Sequence, residues 1–208
     1  MRNDENPTPK ATDCSLGKGD LLVLGAGQYG VMAAEIAESM GAFGRIAFLD
    51  DSFLKSADAC PCDGRGDGDF SRGNRVIGAL SDIEPFAANF QFGFVAIGNP
   101  ALRRKLTEQL QAKGFSLATL IHPTAYVSPS AKLQKGCCVE PLATIQTEAV
   151  IGRASFVASG AVIRHNATVG EYSHVDCNAV VETLAVVPDG THVACGSVFP
   201  REKGALNA

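Results

Sequence analysis

The sequence predicts two architectures in series: an N-terminal α/β unit of the Rossmann-like half-domain type, then a short left-handed parallel β-helix of about four coils. Three observations carry the prediction. An apolar run at residues 21–24 leads into Gly25, Gly27 and Gly30, spaced G-x-G-x-x-G. From Ile121 to Phe199 every sixth residue is apolar, and four places after each of the first thirteen stands a small one.

The first element is the strand in "DLLVLGAGQYG". Leu21 to Leu24 is apolar without alternation, as expected of a strand covered on both faces. The glycines permit a tight turn and close backbone approach, and the following helix points free N–H groups at a phosphate. Val31, Ala34 and Ala37 form a thin apolar stripe on that helix. "RIAFLDD" is a second strand that delivers Asp50 where a ribose hydroxyl would lie, twenty residues past Gly30. A short strand and turn follow in "VIGALSDIEPF".

"QFGFVAIGN" is the next strand. Asn99 caps a helix that has Pro100 in its first turn and stops at Gly114. Leu102, Leu106 and Leu110 mark its expected buried face, and "FSLATLIHP" reads as one further strand. A dinucleotide fold needs two mononucleotide halves. Only about a hundred residues precede the change of pattern at His122, so this unit suits one nucleotide or the diphosphate of a nucleotide sugar. It is too small for a nicotinamide oxidoreductase.

The second half has a period that neither a helix nor a lone strand produces. The apolar series includes Val139, Ile145, Ile151, Val157, Ile163, Val169 and Val175. The small series includes Ala143, Ala149, Ser155, Ala161, Ala167 and Ser173. One aliphatic and one small inward residue per hexapeptide make each hexapeptide one face of a solenoid. Three faces close a triangular coil of 18 residues, the stacked coils sharing a ladder of backbone hydrogen bonds. The expected organisation is a polar leader over 1–19, the nucleotide-sugar-binding α/β unit over 20–119, the β-helix unit over 120–200 and a tail over 201–208.

Two histidines interrupt the apolar pattern. His165 is the second residue after Ile163 and His174 directly precedes Val175, so neither occupies an inward position. Both are expected to point outward or to sit at a corner, with His192 stacked on His174 one coil later. Outward histidines on an apolar solenoid are candidates for titratable catalysts.

Composition narrows the partners. The net charge of -4, without a Lys/Arg cluster, argues against nucleic acid. No apolar run approaches the roughly 20 residues of a membrane span, and the leader lacks a signal-peptide core, which points to the cytoplasm. Seven cysteines show no disulfide framework. Cys60 and Cys62 lie in a Gly- and Asp-rich loop without the further ligands a zinc or calcium site needs, so no metal is expected.

The strings "GAGQYG", "FLDD", "VAIGNPALRRKL", "LIHPTAYVSPSA" and above all "IRHNATVGEYSHV" carry a family likeness. Over residues 20–199 the chain resembles the hexapeptide-repeat acyltransferases of bacterial surface sugars, the UDP-4-amino-sugar N-acetyltransferases and related sialic acid O-acetyltransferases. The resemblance implies a homotrimer, a nucleotide sugar held by the N-terminal unit, and acetyl-CoA in a cleft between adjacent β-helices. It implies His165 as general base and His174 beside the acetyl-CoA thioester. It also implies Gly27, Gln28, Tyr29, Asp50, Asp51 and Gly98 as nucleotide-sugar contacts and Cys195 as a CoA-lining residue. Tyr29 stands where relatives often have His. Asn166 stands where relatives have an acid after the base, and Glu148, eighteen residues earlier, is expected to stack on Asn166 as a substitute. The repeat closes at Phe199, earlier than in relatives. Two alternatives stay open: a nucleotide-sugar-binding β-helix protein that has lost CoA binding and catalysis, and a zinc hydratase built on His165, His174 and His192.

Overall fold

The computed structural model describes residues 18–52 and 75–202. Most of the expected leader, Cys60, Cys62 and the last residues of the tail lie outside the described residues. The first unit is a five-stranded parallel sheet of β1 (Leu21–Leu24), β2 (Ile46–Leu49), β3 (Arg75–Gly78), β4 (Phe92–Val95) and β5 (Ser116–Leu117), in the order β3-β2-β1-β4-β5. Helices α1 (Gln28–Met40) and α2 (Pro100–Ala112) are its crossovers. All four residues of β1 are buried, as the apolar run predicts. Strand order reverses at β1, so the crevice of the sheet opens between the β1–α1 and β4–α2 loops, where such sheets bind ligands.

Gly25 has φ 100°, and a Cβ at Gly30 would lie 2.1 Å from the Gly25 carbonyl, so both positions require glycine. The face of α1 is broader than the predicted stripe: Ala33, Ala34, Ile36 and Ala37 are buried while Val31 is half-buried. The Asn99 side chain caps α2, accepting from Leu102 N at 2.9 Å, and Gly114 ends it with φ 87°. One expectation for α2 fails. Leu102 is 39% exposed, and the buried face is Arg103, Leu106, Thr107 and Leu110. Spacing alone placed Leu102 with the other leucines, but the helix turns Arg103 toward the β-helix instead.

The stretch expected as one strand, "FSLATLIHP", is two. β5 closes the α/β sheet, and after Ala118 and Thr119 the chain enters β6 (Leu120–Ile121), whose Leu120 N already donates to Cys137 O of the next coil. From there fourteen two-residue strands run to β19 (Val198–Phe199), forming three parallel sheets in which partners are eighteen residues apart, as in Thr144↔Val162 and His174↔His192. These are the stacked coils of a left-handed β-helix. The inward aliphatic and small residues form one core, with Val139, Ile145, Ala149, Ile163 and Ala167 wholly buried. Inward Ser155 and Ser173 meet their hydrogen-bonding need by donating to Gly170 O (2.7 Å) and Pro188 O (2.9 Å).

Corners obey the same period. From Gly136 to Gly196 every sixth residue has a left-handed φ, among them Glu148 (57°), Ala154 (50°), Asn166 (60°) and Tyr172 (56°). Each non-glycine residue there costs about 1–2 kcal/mol, offset by ladder hydrogen bonds on both sides. One outward column of the solenoid, Cys138 and Phe156, packs with Leu21, Val23, Ala33 and Phe94 in a common core. The two units therefore share an apolar seam, and His174 is the next residue of that column. Among the described residues no helix is long and apolar enough to cross a membrane.

Candidate active site

His165 and Asn166 form a corner of the solenoid that lines an open groove of about 360 Å³ together with Tyr126, Gln146 and Thr147. Both imidazole nitrogens are engaged. Nδ1 lies 3.1 Å from Asn166 Oδ1, and Nε2 lies 3.1 Å from Thr183 Oγ1 on the next coil. Asn166 Oδ1 can only accept, so Nδ1 bears the proton and Nε2 presents its lone pair. The backbone N–H of His165 donates to Gln146 Oε1 at 3.1 Å, which holds the corner against the preceding coil. Glu148 occupies the equivalent corner one coil earlier, and Asn166 N donates to Thr147 O at 3.0 Å. The backbones stack as expected, but the Glu148 carboxylate makes no hydrogen bond to His165 or Asn166.

His174 also points outward from its coil, yet it is only 8% exposed. Tyr29 of the α/β unit covers it, ring to ring at 5.7 Å, and Phe156 of the preceding coil lies 5.9 Å away, both edge-on. His192 stacks beneath at 5.3 Å, as expected, and its Nε2 pairs with Asp176 Oδ2 at 3.2 Å. Burial pulls the His174 imidazole down to about 4, with the nearby Asp176 carboxylate opposing the shift. His174 is therefore neutral at neutral pH, and its buried Nε2 has no hydrogen-bond partner. Glu140 is buried in the same region, accepting from Ser159 N and Oγ at 2.9 Å each; burial raises its carboxyl above the usual range. Tyr29 is raised likewise by burial and by the Asp176 and Glu140 carboxylates.

The crevice of the α/β unit holds the remaining residues. Gly27 precedes α1, and a Cβ there would meet nothing within 4 Å, so the crevice is open beside the turn. Gln28 opens the helix and is exposed. Asp50 accepts from Ala26 N and Ser52 N at 2.8 Å each, tying the second strand to the glycine turn. Asp51 accepts from Leu80 N at 3.1 Å. Gly98 faces Tyr29 across the crevice, where a Cβ would lie 3.6 Å from the phenol ring. Cys195 is an exposed free thiol one coil beyond Cys177, whose carbonyl accepts from Gly196 N at 2.9 Å.

Comparison with known proteins extends this geometry. Residues 20–110 match the PglD N-terminal domain family. The acetyltransferase domain of PglB from Neisseria gonorrhoeae superposes with a TM-score of 0.72 at 29% identity, over 89% of this chain and 93% of that one. The same domain in complex with acetyl coenzyme A gives 0.58 at 29% identity, over 85% and 96%. A variant of perosamine N-acetyltransferase from Caulobacter crescentus, in complex with CoA and GDP-perosamine, gives 0.70 at 26% identity, over 88% and 90%. Over most of its length the chain is thus similar to solved sugar acetyltransferases, and its N-terminal unit to the PglD N-terminal domain.

Within the structure the candidate residues fall into two groups. Tyr29, Gly98 and His174 meet at the seam, while His165, Asn166 and Glu148 share the corner groove. One face of the triangle separates the corner at Asn166 from the corner at Tyr172, and His165 makes no contact with His174. Thr183, Gln146, Phe156, Glu140 and Arg103 escaped the reading of the sequence. For Thr183 a signal existed: it lies eighteen residues after His165, in the same column. Among the described residues there is no group of three His, Cys, Asp or Glu side chains able to hold a metal ion.

Proposed function

We propose that the chain transfers the acetyl group of acetyl-CoA to an amino or hydroxyl group of a nucleotide-linked or surface-polysaccharide sugar, with His165 as general base. The observation that carries the reading is the fixed imidazole of His165 in the open groove, its Nδ1–H held by Asn166 and its Nε2 bonded only to a hydroxyl. As the acceptor nitrogen or oxygen attacks the thioester carbon, its proton passes to Nε2. The C–S bond then breaks and the imidazolium returns the proton to the CoA sulfur. A positioned base of this kind contributes about 10² to 10⁴ in rate. Asn166 orients the ring but adds no charge to stabilise the imidazolium, which leaves Glu148 as the nearest acidic candidate on that corner.

His174 serves the acyl donor in this reading. A buried nitrogen without a partner costs about 1–3 kcal/mol, and a bound thioester would satisfy it. The crevice residues Gly27, Gln28, Tyr29, Asp50, Asp51 and Gly98 receive the nucleotide sugar, and Cys195 lines the CoA channel. The work divides between residues 20–119 for the nucleotide sugar and 120–200 for acyl transfer. His165 sits at a corner and His174 on the strand after the next corner, and the homotrimer that the resemblance implies would complete the site between copies.

Calorimetry of acetyl-CoA on the wild-type chain and on His174→Ala tests the donor site, followed by assays with UDP- and GDP-linked amino sugars and their hydroxyl counterparts. Micromolar binding that His174→Ala weakens supports the reading. Absence of binding to the wild-type trimer overturns it, and the alternative of a nucleotide-sugar-binding protein without acyl transfer takes its place.

A further inference from the structure

We propose that Arg103 is a positioning residue that sets the nucleotide loop in register with the corner that leads to His174. Its role rests on the site assignment above, but the geometry is independent of it. Arg103 lies in the first turn of α2, and its side chain is wholly buried.

The guanidinium spans both units. Nη1 donates to Ile97 O (2.7 Å) and Gly98 O (3.0 Å) of the β4–α2 loop. Nε donates to Ala154 O (2.9 Å), and Nη2 donates to Tyr172 O and more weakly to Ser173 O (3.4 Å) on the solenoid. Its carbon sits 4.3 Å from the centre of the Phe156 ring, the ring that touches both Tyr29 and His174. Among the described residues no carboxylate pairs with it, so five backbone carbonyls hold its charge. Burial lowers it only to about 10, and it stays protonated at neutral pH.

Two of those carbonyls explain the choice of arginine. Ala154 and Tyr172 occupy the same corner on successive coils, both with left-handed φ, and the ladder supplies no backbone N–H to either carbonyl. A planar fork with five donors can meet two stacked corner carbonyls while still reaching the loop at Gly98; an ammonium with three donors cannot. Gly98 stands against Tyr29, and Tyr172 precedes His174 by two residues. One side chain therefore fixes the distance between the nucleotide crevice and the imidazole beside it.

The test compares the wild-type enzyme with Arg103→Lys, Arg103→Met and Leu106→Ala. Leu106→Ala is the control, since it weakens the same helix away from the seam. Both Arg103 variants are expected to lose about 10²-fold in kcat/KM for the nucleotide sugar at temperatures far below unfolding, the scale of a displacement of about 1 Å. Amide hydrogen exchange is expected to quicken at residues 96–99 and 172–174 together, and in neither segment for Leu106→Ala. Arg103→Met removes the charge as well as the donors, so the same signature in both variants excludes an effect of one misplaced ammonium. Wild-type kcat/KM in a folded Arg103 variant, or quickened exchange in one segment alone, overturns the proposal. If the wild-type chain acetylates no nucleotide sugar, the functional reading falls, and the paired exchange response decides for or against Arg103 as the pin.

Discussion

His165 and His174 stand nine residues apart on one solenoid, with the same outward polarity and opposite surroundings. His165 sits at a corner in open solvent, held by side chains whose own backbones the ladder fixes. His174 is sealed under the α/β unit between Tyr29 and Phe156, with a nitrogen that nothing satisfies. Solenoid position alone decides that a side chain points outward. What docks on that face decides whether it remains a solvated base or becomes a neutral, dry hydrogen-bonding group.

The strongest way to break the comparison is to remove the groove histidine. His165→Gln is expected to lower kcat by about 10² to 10⁴ with an unchanged melting temperature, because its ring contacts are exposed hydrogen bonds. A fall in stability of the size seen for core residues would show that the corner, not the chemistry, needs His165.

The second test addresses the buried ring through pH. Because the folded His174 imidazole is lowered to about 4 from an ordinary 6.5, the unfolded chain binds its proton first. Its contribution is intact above pH 6.5 and is lost as pH falls from 6.5 toward 4, by at most about 3–4 kcal/mol. Denaturation of the wild type and of His174→Phe across that window should show a steep loss for the former and a flatter profile for the latter. Parallel profiles would mean that another group governs acid lability.

The smallest effects concern charge at the groove corner. Asn166→Asp should raise the rate and Glu148→Gln lower it, each by about threefold, the worth of a solvent-exposed charge a few ångströms away. Added salt should shrink both effects. An unchanged rate in Glu148→Gln would remove Glu148 from the site, leaving its stacking as a property of the corner. Asn166 already has such a role: asparagine tolerates left-handed φ better than most side chains, and φ there is 60°.

The solenoid was legible because its information is local and repeated. Ile145, Ile151, Val157 and Ile163 declare the inward face every six residues, and a single shift of register would expose all of them. The glycine turn was legible for a similar reason, since Gly25 and Gly30 answer a clash within six residues. The split of "FSLATLIHP" was not legible. Ser116–Leu117 and Leu120–Ile121 have the same β character, and only their partners, β4 on one side and the next coil on the other, separate them. Leu102 misled because α2 has leucines at helical spacing, while the covering surface lies on the side of Arg103.

By itself, the sequence determined the coil, its period and the outward direction of both histidines, because each follows from side-chain size and backbone sterics within about eighteen residues. Only the tertiary structure decided that His174 is dry, that Tyr29 lies against it, and that Arg103 is buried. Those facts depend on how two units dock, bringing together groups such as Arg103 and the Tyr172 carbonyl, 69 positions apart. Desolvation is a property of the covered face, and no spacing within either unit encodes what will cover it.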